Sequence, residues 1–127
     1  MGPERRHHKR VYFSRNTRIT VGLSVPGISR RTIRARILNL SEGGIALSYR
    51  RDHGFTVVKG TFLSIYDING VDGLKCIQGK SVEVRWVLDD ETFETIGAGC
   101  KFYGFNEADR NVIREFVDML AVGKNAD

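Results

Sequence analysis

The sequence has few residues of the kinds that build metal or disulfide sites. Among 127 residues there are two cysteines, Cys76 and Cys100, and three histidines. Neither cysteine belongs to a C-x-x-C pair, and the adjacent His7 and His8 point in different directions without a third ligand nearby. We therefore predict no metal site. Both cysteines fall in strand-like segments and are expected to be buried free thiols in a reducing cytoplasm, with a disulfide between them as the alternative.

Long apolar segments are also missing. No run approaches the roughly 20 residues that a membrane-spanning helix requires. The first residues, Met1-Gly2-Pro3-Glu4-Arg5, lack the hydrophobic core of a secretion signal. We expect a cytoplasmic protein without a membrane span.

Motifs typical of catalysis are absent as well. The sequence contains no G-x-S-x-G, H-E-x-x-H or G-x-x-x-x-G-K pattern. Its acidic run, Asp89-Asp90-Glu91, lies in one predicted turn, where the carboxylates do not face each other across a cleft. Gly97-Ala98-Gly99 lies inside a strand-like segment, so it is no dinucleotide fingerprint. These absences favour a binding protein over an enzyme and predict no cofactor.

Acidic residues are scarce in the first part of the chain. Residues 1–36 contain ten lysines or arginines and one acid, Glu4, a net charge of +9, so residues 37–127 carry 5 − 9 = −4. This asymmetry predicts an anionic partner near the amino-terminal end.

Alternating apolar residues predict a mainly β fold. Six segments have this period of two: residues 19–23, 32–38, 45–49, 61–66, 81–88 and 95–102. A shorter strand-like segment, residues 74–77, contains Cys76. In residues 81–88 the alternation places Trp86 on the same inward face as Val82 and Val84, so we expect it in the core. Gly97 and Gly99 lie on the outward face of their segment, which indicates strong curvature or a closely packed neighbour, as in a barrel.

The last segment has the period of an amphipathic helix. Asn106 is expected to cap its start and Gly123 to end it. Arg114 and Asp118 are spaced to form an i, i+4 ion pair. The apolar stripe consists of Val112, Ile113, Phe116, Val117 and Leu120.

Two segments are candidates for the functional surface of the protein. Residues 39–44 form a polar, glycine-containing turn or bulge between strand-like segments, which alone is typical of any hairpin. Residues 4–10 form a dense cationic arm before the first apolar residues. Arg6 and Arg10 read as R-x-x-x-R, and Asn39, Ser41 and Gly44 read as N-x-S-x-x-G.

This pair of half-motifs, in this order, resembles the signature of the PilZ domain family. The later strand-like segments and the closing helix are similar to the remainder of such a domain. The resemblance implies a six-stranded antiparallel PilZ-type β-barrel with a carboxy-terminal α-helix packed against it. We accordingly expect a flexible basic arm at residues 1–10, a barrel domain at residues 11–123 and a tail at residues 124–127.

The resemblance also implies a ligand, the bacterial second messenger cyclic di-GMP, and a role in regulating motility or biofilm formation. Arginine can hold a guanine edge, stack on a purine or bind a phosphate. Binding is expected to order the arm and to signal to a separate, unidentified protein partner. The implied ligand-binding residues are Arg5, Arg6, Arg10, Asn39, Ser41, Gly43 and Gly44, with Arg36 and Trp86 as secondary candidates.

Two other functions remain open at the level of the sequence. The first is a small basic barrel that binds RNA or single-stranded DNA, in which Tyr12 and Phe13 would stack on bases. We consider nucleic acid the weaker candidate because such surfaces usually interleave more exposed aromatic residues with the cations. The second is a PilZ-like module that binds only a protein partner.

Overall fold

The computed structural model describes residues 9–14, 16–25, 31–51 and 57–126, with residues 121–126 described by their backbone alone. These residues form seven strands and one α-helix. The strands are β1 (Arg10–Tyr12), β2 (Thr20–Ser24), β3 (Thr32–Ser41), β4 (Gly44–Arg50), β5 (Phe62–Asn69), β6 (Ser81–Leu88) and β7 (Thr95–Tyr103), and the helix is α1 (Glu107–Ala126).

Six of the strands close into an antiparallel barrel. The sheet runs in the order β1-β3-β2-β5-β6-β7-β4, and an additional pairing of β3 with β4 joins its ends. The short strand β1 lies outside this ring and pairs with the far end of β3, where Arg10 is in register with Ser41. The predicted mainly β fold, a six-stranded antiparallel barrel with a carboxy-terminal helix, is confirmed.

The core consists of the inward residues of each strand. Leu23, Ile37, Leu47, Ile65 and Ile96 are almost completely buried. They occupy alternate positions of β2, β3, β4, β5 and β7, as the period of two predicts.

Three register shifts interrupt the strand pairing of the described residues. One changes the pairing of β2 with β5 between Gly22 and Leu23. In β3 the pairing with β4 shifts between Ile37 and Asn39. In β6 the pairing with β7 shifts between Val84 and Trp86. Each of these β-bulges adds one residue and reverses which later residues face outward. The predicted core position of Trp86 is therefore wrong: its side chain is 49% exposed, whereas Val84 is fully buried.

The helix α1 packs on β1, β3 and a single 3-10 turn at Lys75–Ile77. Asn106 caps it as predicted, because the Asp109 N–H donates to Asn106 Oδ1 at 2.8 Å. Ile113, Phe116 and Val117 are buried. The helix continues to Ala126 through Gly123, so the predicted end at residue 123 is wrong; glycine weakens a helix by about 1 kcal/mol but does not by itself end it.

No helix in the described residues has an apolar stretch long enough to cross a membrane.

The cysteines are free and lie in different surroundings. Cys100 is buried in β7, and burial raises the pKa of its thiol to about 12. Cys76 lies in the 3-10 turn and is only partly buried, so the strand predicted around it is wrong. Gln78 caps the carboxyl end of that turn, and β6 begins three residues later at Ser81.

The predicted arm, residues 1–10, falls mainly outside the described residues. Its last residue, Arg10, belongs to β1 and is held by pairing with β3. The sheet of the described residues therefore includes Arg10, the last residue of the predicted arm.

Gly44 allows β4 to approach β7 closely, since a methyl group at its Cα would overlap the carbonyl oxygen of Cys100. We expect Gly44→Ala to lower the free energy of unfolding by about 1–3 kcal/mol, because the obstructing atom is backbone and cannot rotate away. Urea denaturation measures this. Gly97→Ala, in the same pair of strands but with its nearest atoms at 3.8 Å, is the control and should change stability by no more than about 0.5 kcal/mol. Equal effects of both substitutions would contradict this account.

The ion pair of Asp67 with Arg34 makes stability depend on pH. Hydrogen bonds from Arg34 and from the Gly22 N–H lower the pKa of Asp67 below its ordinary value. A depressed carboxyl pKa adds stability that is present above about pH 4 and disappears as the pH falls through the folded-state pKa. We expect Asp67→Asn to be less stable than the wild type at pH 6, with a difference that shrinks as the pH falls below about 4, in thermal melts followed by circular dichroism. Glu94→Gln, at a largely exposed carboxylate, is the control, and a pH-independent difference for Asp67→Asn would refute the assignment.

Candidate functional site

A cavity of about 410 Å³ lies outside the barrel, where β1, the β3–β4 turn, β6 and β7 meet. Strand β1 closes one side because it pairs with the end of β3. Several predicted residues line this cavity: Arg10, Asn39, Ser41, Gly43, Gly44 and Trp86. The structure thus brings part of both half-motifs and a secondary candidate into one place.

Arg10 and Asn39 are in direct contact. The Arg10 Nη1 donates a 2.7 Å hydrogen bond to Asn39 Oδ1. Asn39 faces outward only because of the bulge that precedes it; continued alternation after Ile37 would point it into the core. The acceptor that the sequence assigns to guanine is engaged by Arg10 here, and the Asn39 amide nitrogen remains as a donor. Arg10 Nε is buried without a hydrogen-bond partner in the described residues.

Ser41 shapes the turn. Its side chain is 2% exposed, and its Oγ accepts a hydrogen bond from the Gly43 N–H at 3.2 Å and donates to the Gly44 carbonyl at 3.5 Å. A serine hydroxyl commonly bonds nearby backbone in this way. Ser41 therefore holds Gly43 and Gly44 in position at the cavity wall.

Trp86 forms the opposite wall with the help of Gly99. The two residues are in register across β6 and β7, and the indole occupies the space where a Cβ of Gly99 would lie. The predicted close neighbour of Gly99 is thus the Trp86 ring, and the half-exposed indole borders the cavity.

The lining is cationic. Arg10, Arg85 and Lys101 contribute three positive charges, and no carboxylate among the described residues lines the cavity. Glu83 lies 3.5 Å from Arg85 beside it, and that arginine is half-exposed. The cavity is suited to an anionic ligand with a flat ring that can stack on Trp86.

The helix α1 holds both halves of the site. Arg114 donates to Glu42, in the β3–β4 turn, at 3.0 and 2.8 Å. Lys9, the residue before Arg10, pairs with Asp118 at 3.2 Å. Arg114 and Asp118 are therefore engaged with the two sides of the cavity, and the i, i+4 pair predicted between them is not their principal contact.

The other predicted residues are placed as follows. Arg36 lines a different groove, together with Arg18 and Arg50. Arg5 and Arg6 lie outside the described residues.

Tyr12, Arg85 and Lys101 also line the cavity. Sequence reasoning missed Arg85 and Lys101, and it named Tyr12 only as a stacking residue in the nucleic-acid alternative. Lys101 shares the outward face of Gly97 and Gly99, so the period of β7 could have identified it. Tyr12 is in register with Asn39 across β1 and β3. To place it at the cavity from the sequence, the register of these two strands would have to be known. In the described residues there is no group of three or more His, Cys, Asp or Glu side chains that could hold a metal ion.

Comparisons with known proteins agree with this architecture. Inhibitor of motility MotI/DgrA of Bacillus subtilis is 17% identical with a TM-score of 0.66, over 94% of this chain and 53% of that one. MrkH of K. pneumonia, solved in complex with c-di-GMP, is 17% identical with a TM-score of 0.61, over 97% and 56%. The PilZ domain of YcgR from Escherichia coli, solved with c-di-GMP, is 13% identical with a TM-score of 0.62, over 97% and 98%.

The chain thus spans about half the length of the MotI/DgrA and MrkH chains. At these identities the structural likeness shows the fold. A search of curated proteins found no match. The model of the PilZ domain family matches residues 4–119, nearly the whole chain. The match includes both predicted half-motifs, and we conclude that the chain belongs to the PilZ domain family.

Proposed function

We propose that this domain is a receptor for cyclic di-GMP and binds it in the cavity between Arg10, Asn39 and Trp86. The observation that carries the proposal is the direct hydrogen bond between Arg10 and Asn39, which joins the two half-motifs at one cationic cavity. Family membership and the PilZ neighbours solved with c-di-GMP support the same ligand.

Arg10 would supply the main polar contact. Its guanidinium lies in the cavity wall, where it would donate to a phosphate oxygen or to the O6 and N7 edge of guanine. Asn39 would orient Arg10 through its Oδ1 and would turn its amide nitrogen to the ligand. Ser41 would hold the turn in place, so that the backbone of Gly43 and Gly44 forms one wall of the cavity.

Trp86 would hold a base by stacking. A half-exposed indole beside three cations presents a flat surface in a positive field, and stacking of a base on an aromatic ring contributes about 1–3 kcal/mol. Arg85 and Lys101, which the sequence-based interpretation missed, would neutralise the phosphates. Gly99 is required in this arrangement because a larger residue would displace the indole.

The signal would pass through the basic segment before Arg10. We propose that the bound phosphates draw Arg5 and Arg6 across the cavity, and that this rearranged surface is read by a separate protein partner. Lys9 and Asp118 connect the segment to α1, so the helix can register the change.

Substitution of Arg10 tests the proposed function. We expect Arg10→Ala to weaken binding of cyclic di-GMP about 5- to 150-fold, from the 1–3 kcal/mol of a bidentate guanine contact. Arg10→Lys should recover little, because lysine keeps the charge but not the planar fork. Titration calorimetry measures affinity and stoichiometry together. Arg6→Ala should have a loss of the same order.

Arg110→Ala is the matched control for these variants, since Arg110 is an exposed arginine on α1 and does not line the cavity. Cyclic di-AMP should not bind at low salt. Unchanged affinity in both Arg10→Ala and Arg6→Ala would refute the proposal. Binding that does not depend on the identity of the base and that weakens steeply with salt would indicate that the natural ligand is a single-stranded nucleic acid instead.

The contact of Arg114 with Glu42 generates a second prediction. Arg114 does not line the cavity, but its ion pair with Glu42 holds the β3–β4 turn. Because Arg114→Ala removes this partly exposed ion pair, we expect the affinity for cyclic di-GMP to fall about twofold to fivefold. Calorimetry with Arg114→Ala, Glu42→Gln and the double variant gives the coupling between the two residues. Independent, additive effects of the two substitutions would show that the pair does not position the turn.

A further inference from the structure

A second cationic groove lies elsewhere on the outer surface of the barrel. It has a volume of about 310 Å³ and shares no lining residue with the candidate site. Its walls carry four arginines, Arg18, Arg34, Arg36 and Arg50. The hydroxyl residues Thr20, Ser48 and Thr95 also line it, and no carboxylate among the described residues does.

The strand register concentrates these charges. Arg34 and Arg36 are two residues apart in β3, so both point outward about 7 Å apart. Arg36 is in register with Thr20 on β2 and with Ser48 on β4. Ala35 is in register with Tyr49, which places Arg50 beside Arg34 on the neighbouring strand. Like charges at facing positions destabilise a sheet, so the placement of Arg34 opposite Arg50 has an energetic cost.

Only part of this charge is neutralised within the described residues. Arg34 makes two hydrogen bonds to Asp67, at 2.9 and 3.0 Å. Arg50 lies 3.8 Å from Glu94, and both side chains are more than four-fifths exposed, so their pairing is weak. Arg18 and Arg36 have no carboxylate partner in the described part of the chain. The Arg36 Nε is buried and makes no hydrogen bond there.

A buried donor without an acceptor is unfavourable, and an oxygen from a bound anion would satisfy it. Two unpaired guanidinium groups next to hydroxyl donors match the several oxygens and the double charge of a phosphate or pyrophosphate better than a single carboxylate. Asp67 and Glu94, beside Arg34 and Arg50, would repel a polyanion that extended past the groove. The volume is at the lower end of the range for small-molecule sites.

We propose that this groove is a second anion site, which takes a compact ligand carrying a phosphate or pyrophosphate group with at least two negative charges. Arg18 and Arg36 are its principal ligand-binding residues, and Thr20 and Ser48 donate through their hydroxyl groups. The proposal is independent of cyclic di-GMP binding because no residue is common to the two sites.

The test is a titration of the ¹⁵N-labelled protein with inorganic pyrophosphate at low ionic strength, followed by amide chemical shifts. We expect saturable shifts at Arg18, Thr20, Arg36, Ser48 and Thr95. Arg36→Gln should weaken the affinity at least tenfold, and Arg18→Gln should weaken it in the same direction. Arg110→Gln is the matched control and should bind as the wild type does. In Arg10→Ala the shifts of the groove residues on addition of pyrophosphate should be the same as in the wild type, because Arg10 does not line the groove; any shifts in the candidate cyclic di-GMP site are followed separately.

Three results would overturn the proposal. The first is an absence of saturable shifts in the groove with the wild-type spectrum otherwise intact. The second is equal pyrophosphate affinity of the wild type and of a folded Arg36→Gln variant. The third is tighter binding in this groove of a single-stranded oligonucleotide than of pyrophosphate, which would assign it to an extended polyanion.

Discussion

The candidate site depends on two β-bulges of the barrel, those in β3 and β6. Side chains in a strand alternate between inside and outside, and an added residue reverses that alternation from the bulge onward. The bulge in β3 turns Asn39 outward after Ile37 has faced the core, and the bulge in β6 does the same for Trp86 after Val84. A regular barrel of the same sequence would bury the amide and the indole and would leave Arg10 without either of them.

Close backbone approach provides the space that the reoriented side chains use. Gly44 lets β4 lie against Cys100, and Gly99 leaves the space that the Trp86 indole fills. The rim is then held by two ion pairs to α1, from Glu42 on one side and from Lys9 on the other. The helix thus does more than cover apolar surface: it connects the turn of β3–β4 to the entry of β1, the two segments that carry the half-motifs.

Much of the barrel could be predicted from the sequence because a period of two reports burial directly. Ile33, Ala35 and Ile37 point inward as their spacing indicates. The bulges could not be predicted, since one extra residue changes no local composition, and this is why Trp86 was assigned to the core.

The partner of Arg114 was missed for a different reason. Local spacing offers Asp118 on the same helix, whereas Glu42 is 72 residues away in the sequence and becomes a neighbour only through tertiary packing. The resemblance to the PilZ signature supplied Asn39 and Ser41, and the structure showed that Ser41 is engaged with the backbone of its own turn.

The sequence shows that positive charge is concentrated in the first 36 residues, and the structure shows where part of that charge lies. The described arginines among the first 36 residues line two different surfaces. Arg10 contributes to the cavity at the end of β3, whereas Arg18, Arg34 and Arg36 surround the groove along β2, β3 and β4. Strand β3 carries outward residues of both sites, with the bulge near Leu38 between them. Because the alternation reverses at that point, Arg36 and Asn39 both face outward although they are an odd number of positions apart. A single strand can therefore contribute to two separate cationic surfaces, and the described arginines of the first 36 residues that line them are divided between the two.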